Sequence, residues 1–162
     1  LPISTSCTHT LLFETGGDIL TPENREKYKQ LKIMDITQWL KEVVLPRIKV
    51  IRPKNRILLH PTCSCQIMGL TPVLLDIARK CAREVILPDN WGCCGASGDR
   101  GFIFPELSDS ATRDERDEIG HESFDGCYSL ARTCEIAMQD HIEQPYESIV
   151  YLVDETIQDQ GT

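Results

Sequence analysis

The side chains best suited to chemistry in this chain are its cysteines, which stand at positions 7, 63, 65, 81, 93, 94, 127 and 134. Cys93 and Cys94 are adjacent and sit between glycines in the run Trp91-Gly92-Cys93-Cys94-Gly95. Packing gives no reason for two neighbouring thiols in such a run, whereas glycine lets the backbone turn tightly enough to bring both sulfurs to one centre. Cys63 lies 29 intervening residues before Cys93, and Cys134 lies 39 after Cys94. Four thiolates are the usual complement of an iron–sulfur cluster or of tetrahedral zinc. A reactive low-pKa thiol at Cys93 or Cys94, in a thiol redox module, is the third chemistry this pattern allows.

The other cysteines read differently. Free cysteine behaves as a small hydrophobe, and Cys81 falls on the apolar face of a predicted helix while Cys127 falls inside a predicted strand. Both are expected in the core, and Cys65 is balanced between core and site. The loop Gly95-Ala96-Ser97-Gly98-Asp99-Arg100-Gly101 lacks both a Gly-x-Gly-x-x-Gly order and a Walker lysine. Its glycines, Gly95 and Gly98 foremost, are expected to wrap the metal centre with backbone amides aimed at sulfur. His60, before Pro61 at a strand end, reads as a satisfied structural histidine near the site, with metal ligation or a bond to sulfur as its functional alternative. Trp91 serves either to shield the centre or to pack. His9, His121 and His141 read as surface residues. No Gly-x-Ser-x-Gly elbow, His-Glu-x-x-His or apolar carboxylate pair appears, which favours moving electrons over making bonds.

Elements that could gather these thiols follow from periodicity. A short strand is expected at Pro2 to Ser4, and Asp35 caps a helix carrying Ile36, Trp39, Leu40, Val43 and Val44 up to Pro46. Ile57 to His60 reads as a buried parallel strand leading into Cys63, and Thr71-Pro72 as the cap and first turn of a helix burying Leu74, Leu75, Ala78 and Cys81. Val85 to Leu87 is the next strand; Ser108 caps a charged helix that Gly120 stops. Phe124 to Ser129 is a third strand, Cys134 begins a further helix, and an amphipathic helix runs from Tyr146. The result is an α/β fold with a parallel sheet of three to four strands, flanked by helices and joined by right-handed crossovers. Cys63, Cys93/Cys94 and Cys134 each follow a strand, so they converge on the carboxyl edge, where open α/β sheets bind ligands.

Composition narrows the partners. Seventeen Lys and Arg against 25 Asp and Glu give a net charge of −8, and no basic stripe interleaved with aromatics occurs, so nucleic acid is not an expected partner. At 162 residues one domain is the default. The chain starts at Leu1 without a leader or an apolar run of membrane-spanning length, so a domain cut from a longer cytoplasmic protein is expected. In that compartment clustered thiols signal metal or redox chemistry rather than disulfides.

Three segments together resemble a known family. Leu59-His60-Pro61-Thr62-Cys63, then Gly92-Cys93-Cys94-Gly95-Ala96-Ser97-Gly98-Asp99-Arg100-Gly101-Phe102, then Arg132-Thr133-Cys134-Glu135, resemble the cysteine-rich CCG domain of heterodisulfide reductase subunits, glycolate oxidase iron–sulfur subunits and FAD-linked D-lactate dehydrogenases. Gly98 to Phe102, with Pro105-Glu106-Leu107 and Cys134-Glu135, resemble the D-lactate dehydrogenase group most closely. The resemblance spans nearly the whole chain and implies two parts: residues 1–20 as the tail of a preceding half-domain, including Ser6-Cys7-Thr8, and residues 21–162 as a complete second half. Where the family carries the first cysteine of a Cys-x-x-Cys pair, this chain has Ala131. A four-cysteine [4Fe–4S] cluster on Cys63, Cys93, Cys94 and Cys134, with Gly95 and Gly98 around it, then fits better than a five-cysteine noncubane cluster; Cys127 and Cys65 are the substitute ligands. The resemblance further implies that electrons pass from a 2-hydroxy acid to FAD in another domain of the same protein, then through this domain to a quinone or cytochrome. The intact enzyme is then expected in the cytoplasm or on the periphery of the inner membrane. Zinc is the alternative occupant.

Overall fold

The computed structural model describes residues 2, 3 and 17 to 157. Cys7, His9 and the Ser6-Cys7-Thr8 segment lie outside the described residues. The sheet edge is built as the alternating pattern requires. Strand β1 (Pro2–Ile3) pairs in parallel with β2 (Met34–Asp35), separately from the main sheet. Helix α1 (Pro22–Lys29) lies between them, its N-terminus capped by Thr21, whose Oγ1 accepts the Asn24 N–H at 3.4 Å.

The main sheet has four strands, β3 (Lys54–Leu59), β4 (Ala82–Ile86), β5 (Gly126–Ser129) and β6 (Tyr146–Ser148), all parallel, in the spatial order β4-β3-β5-β6. Ile57-Leu58-Leu59 is an unbroken apolar run because β3 is central and covered on both faces; each of the three is 0% exposed. Burial of each such side chain contributes about 2 kcal/mol. Alternation splits them: Ile57 and Leu59 join one core with Leu74, Ile77, Ala78, Leu152 and Val153, and Leu58 joins the other with Cys127, Ile119, Met138 and Tyr146. Helices α4 (Thr71–Cys81) and α8 (Ile149–Thr156) therefore cover one face, and α6 (Pro105–Ile119) and α7 (Arg132–Ile142) the other. Two short helices, α3 (Cys63–Ile67) and α5 (Arg100–Ile103), lead into α4 and α6.

Several expectations are corrected in detail. Asp35 does cap a helix, α2 (Ile36–Trp39), through the Thr37 N–H at 2.8 Å, but the segment continues as a π turn over Leu40–Val44 and a 3₁₀ turn over Leu45–Arg47. Pro46 has no N–H to offer the preceding turn, so regular i→i−4 bonding ends before it. Thr71 is the first residue of α4 rather than its cap, with Pro72 preset in the first turn. Ser108 does not cap: Pro105 starts α6 three residues earlier, and Ser108 is buried in its first turns at 1% exposure. Tyr146 to Ser148 are the fourth strand instead of helix, because their backbone pairs with Cys127 to Ser129; Ser148 then caps α8, accepting the Val150 N–H at 3.4 Å.

Candidate metal centre at the carboxyl edge of the sheet

The chain adds β4 on one side of β3 and then returns to place β5 on the other. The point between β3 and β5 is thus a switch point, where successive connections leave the carboxyl edge toward opposite faces and open a crevice. Cys63 starts α3 directly after β3, Cys134 lies in the first turn of α7 after β5, and Cys93 and Cys94 lie in the connection after β4. All four expected ligands thus come from segments that leave the same edge.

Local sequence positions each of them. Thr62 caps α3, its Oγ1 accepting the Cys65 N–H at 3.2 Å, which sets Cys63 at the helix start and turns Cys65 inward. The Cys93-Cys94 loop is bent by Gly95 and Gly98, whose φ angles are 73° and 76°, with Ser97 between them at 44°. Gly95 is pressed against α6: a side chain there would meet the Leu107 carbonyl oxygen and Ser108 Cα, each at 2.6 Å. The Gly95 N–H donates to Cys93 Sγ at 3.5 Å, as expected of a loop whose amides face sulfur. Gly98, by contrast, has no described atom within 4 Å of where a side chain would start.

The four thiols form a connected series. Cys63 hydrogen-bonds to Cys93, Cys93 to Cys94, and Cys94 to Cys134. Hydrogen bonds from the Cys63 and Cys94 thiols, then from the Gly95 amide, hold Cys93 far below the ordinary thiol range despite its partial burial. Cys94, between Cys134 and Cys93 and buried, is pushed up as the donor to both. Cys134 is lowered, chiefly by the Cys94 hydrogen bond. In this series the Cys63 and Cys94 thiols favour the thiolate form of Cys93, and the Cys94 thiol favours that of Cys134. It runs from the exposed Cys93 to the buried Cys94 and Cys134. Among the described residues, no three His, Cys, Asp or Glu side chains stand so as to hold a single metal ion.

The other described cysteines, Cys65, Cys81 and Cys127, are outside this series. Cys65 is 0% exposed in the core of the α4 face, and burial pushes its thiol up to about 12. Cys81 is likewise in that core, as its helical face predicts. Cys127 is in the opposite core, raised by burial to about 12, its thiol 3.8 Å from Gln144 Oε1. Trp91 is half-buried, His121 is exposed and His141 is half-buried.

His60 departs from the satisfied histidine expected of it. Its Nδ1 faces both carboxylate oxygens of Glu115 at 3.1 and 3.0 Å, and both residues are buried, at 0% and 2%. Its Nε2 is buried without a hydrogen-bond partner among the described residues, as are Ser108 Oγ and Tyr146 Oη. Neither Glu115 nor Tyr146 stands out in the sequence as a site residue. A signal existed in the spacing Ser108, Thr112, Glu115, Ile119, which is one helical face, but the charged residues around it make the whole helix read as solvated. A cavity of about 440 Å³ lined by Leu130, Arg132, Glu135, Glu147, Ser148 and Tyr151 lies beside α7, and none of the four cysteines lines it.

No family model matches the chain, and no curated protein matches it at significant similarity. Among the described residues, no helix is long and apolar enough to cross a membrane.

Proposed function

We propose that this chain is the iron–sulfur electron-transfer domain of an FAD-dependent D-lactate or related 2-hydroxy-acid dehydrogenase, in which Cys63, Cys93, Cys94 and Cys134 hold a [4Fe–4S] cluster. The observation that carries the reading is the series of hydrogen-bonded thiols that, among the described residues, links those four cysteines at the β3–β5 switch point. Cys65 and Cys81, in the opposite core, stay out of the series, as does Cys127, although it shares the α6–α7 core with Cys94 and Cys134. A cluster bound there supplies reversible one-electron storage. The chain's own residues supply the rest. Cys94 and Cys134 bury the inner side in the α6–α7 core, the Gly95 amide donates to sulfur, and the exposed Cys93 gives electrons a short way in and out. Phe102, Ile103, Phe104 and Leu107, 44 to 65% exposed, follow the same loop. Exposed apolar side chains beside the site suit contact with the FAD-binding domain that would deliver the electrons, for passage to a quinone or cytochrome.

The test is elemental analysis of anaerobically prepared wild type beside Cys93→Ser. Iron and acid-labile sulfide are expected in the first, with a brown colour that dithionite bleaches, and both should be lost in the second. A colourless wild-type protein containing zinc alone, or no metal and one rapidly alkylated cysteine, overturns the reading in favour of a structural zinc domain or a thiol redox module.

A further inference from the structure

The contacts within the thiol series are pairwise, and the pairs differ in what they allow when no metal holds them. Cys63 meets Cys93, Cys93 meets Cys94, and Cys94 meets Cys134. Two touching thiols close to a disulfide when an oxidant reaches them and the backbone permits a Cα separation of about 4.4–6.8 Å. The middle pair is opposed by geometry: neighbouring residues hold their Cα atoms about 3.8 Å apart across a trans peptide, below that range. The inner pair is opposed by access, because Cys94 and Cys134 are 4% and 8% exposed in the α6–α7 core. The outer pair meets neither obstacle. Cys93 is exposed, Cys63 is half-buried, and 29 residues lie between them. Gly92, just before Cys93, has no described atom within 4 Å of where a side chain would start, so the loop has room to bring the two sulfurs together.

We propose that Cys63 and Cys93 are a redox-sensitive pair that closes to a disulfide when the metal-free chain meets hydrogen peroxide. Cys93, the more exposed thiol, reacts first: its sulfur bonds to one peroxide oxygen as the O–O bond breaks, and the other oxygen leaves as water with the thiol proton. The Cys63 sulfur then attacks the sulfur of the Cys93 sulfenic acid. The S–S bond forms, the S–O bond breaks, and the hydroxyl leaves as a second water with the Cys63 proton. The two thiols together lose two electrons and two protons, and one peroxide becomes two waters. Closure keeps Cys93 from the irreversible sulfinic and sulfonic acids that a sulfenic acid otherwise reaches. A further consequence rests on the electron-transfer reading above: the disulfide withdraws two of the four ligands, so the site accepts iron only after reduction.

The experiment treats the full metal-free chain with one equivalent of hydrogen peroxide under anaerobic conditions, then unfolds it and blocks the remaining thiols with N-ethylmaleimide. Mass spectrometry of a non-reduced digest maps the links. The expected product has lost two hydrogens and carries a Cys63–Cys93 link that dithiothreitol reverses, with Cys94 and Cys134 labelled by maleimide. Cys94→Ser should keep that link, and Cys63→Ser should leave a Cys93 sulfenic acid that dimedone traps. A predominant Cys93–Cys94 or Cys94–Cys134 link, or Cys93 passing to sulfinic acid while Cys63 stays reduced, overturns the inference. Such a result in a chain that, when reduced, still gains iron from ferrous iron and sulfide leaves the electron-transfer reading standing. A reduced chain that gains no iron, while its peroxide-treated form carries the Cys63–Cys93 link, overturns that reading and leaves the disulfide in place.

Discussion

Replacing Gly95 by alanine should destabilise the protein more than the same change at any other glycine of the cysteine loop. Two separate effects meet there. The φ of 73° places an L side chain in the left-handed region, at a cost of about 1–2 kcal/mol. The new Cβ would also stand 2.6 Å from the Leu107 carbonyl oxygen and from Ser108 Cα, which are backbone atoms and cannot rotate away. Forcing α6 off the loop is overpacking and costs about 1–3 kcal/mol more. The sum, about 2–5 kcal/mol, corresponds to a fall in Tm of roughly 4–20 °C for a chain of this size. The neighbouring glycines separate the two causes. Gly98 has the positive φ, 76°, but open space, so Gly98→Ala should lose only about 1–2 kcal/mol. Gly101 has the crowding, Ser108 Oγ at 2.6 Å and Ala96 Cα at 2.8 Å, without the positive φ, so Gly101→Ala should lose about 1–3 kcal/mol. Gly92 has neither and should be close to neutral. Thermal melts followed by circular dichroism on the four metal-free variants read the order directly. If Gly95→Ala melts no lower than Gly98→Ala, the loop is not braced by α6, and the account of how Cys93 and Cys94 are held is wrong.

Two further outcomes follow from the electrostatics. Asp125 accepts the Asn55 N–H at 2.6 Å and the Arg56 N–H at 3.4 Å, and these bonds, Asn55 first, hold its carboxyl below the ordinary range. A lowered folded-state pKa adds stability above the unfolded value of about 3.9 and loses it as pH falls through the folded value. Asp125→Asn should therefore lower the urea midpoint at pH 6 and narrow the gap from wild type toward pH 3; an equal deficit at both pH values refutes the carboxylate's role. In the metal-free native protein, iodoacetamide followed by mass spectrometry should label Cys93 well before Cys65, Cys81 and Cys127, since Cys93 is exposed and lowered while the others are buried and raised. Early labelling of Cys65 or Cys127 contradicts their placement in the core.

How much of this could be read from the chain alone depended on whether the signal was local. The strand at Leu58-Leu59, the helix after Pro72, the stop at Gly120 and the helix bearing Cys134 are each determined by residues within a few positions of one another, and each is found where periodicity puts it. Tyr146 to Ser148 were misread because a three-residue edge strand takes its identity from the partner it pairs with, Cys127 to Ser129, and carries no period of its own. The same distinction runs through the site. Cys93 and Cys94 stood out because adjacency and flanking glycines are sequence facts. Their junction with Cys63 and Cys134 needed the parallel order of strands, which the alternation of elements supplied. The spatial order did not follow from alternation: nothing local says that β5 lies on the far side of β3 from β4, and that reversal creates the crevice. Glu115 was the least legible residue of all. On a helix holding Asp109, Arg113, Asp114, Arg116, Asp117 and Glu118, one buried carboxylate is indistinguishable from its exposed neighbours until the partner 55 positions away, His60, is brought against it. A buried acid in a charged helix is thus visible only through tertiary structure, and for that reason its pairing with a buried imidazole is the place in this fold where structure adds most to the sequence.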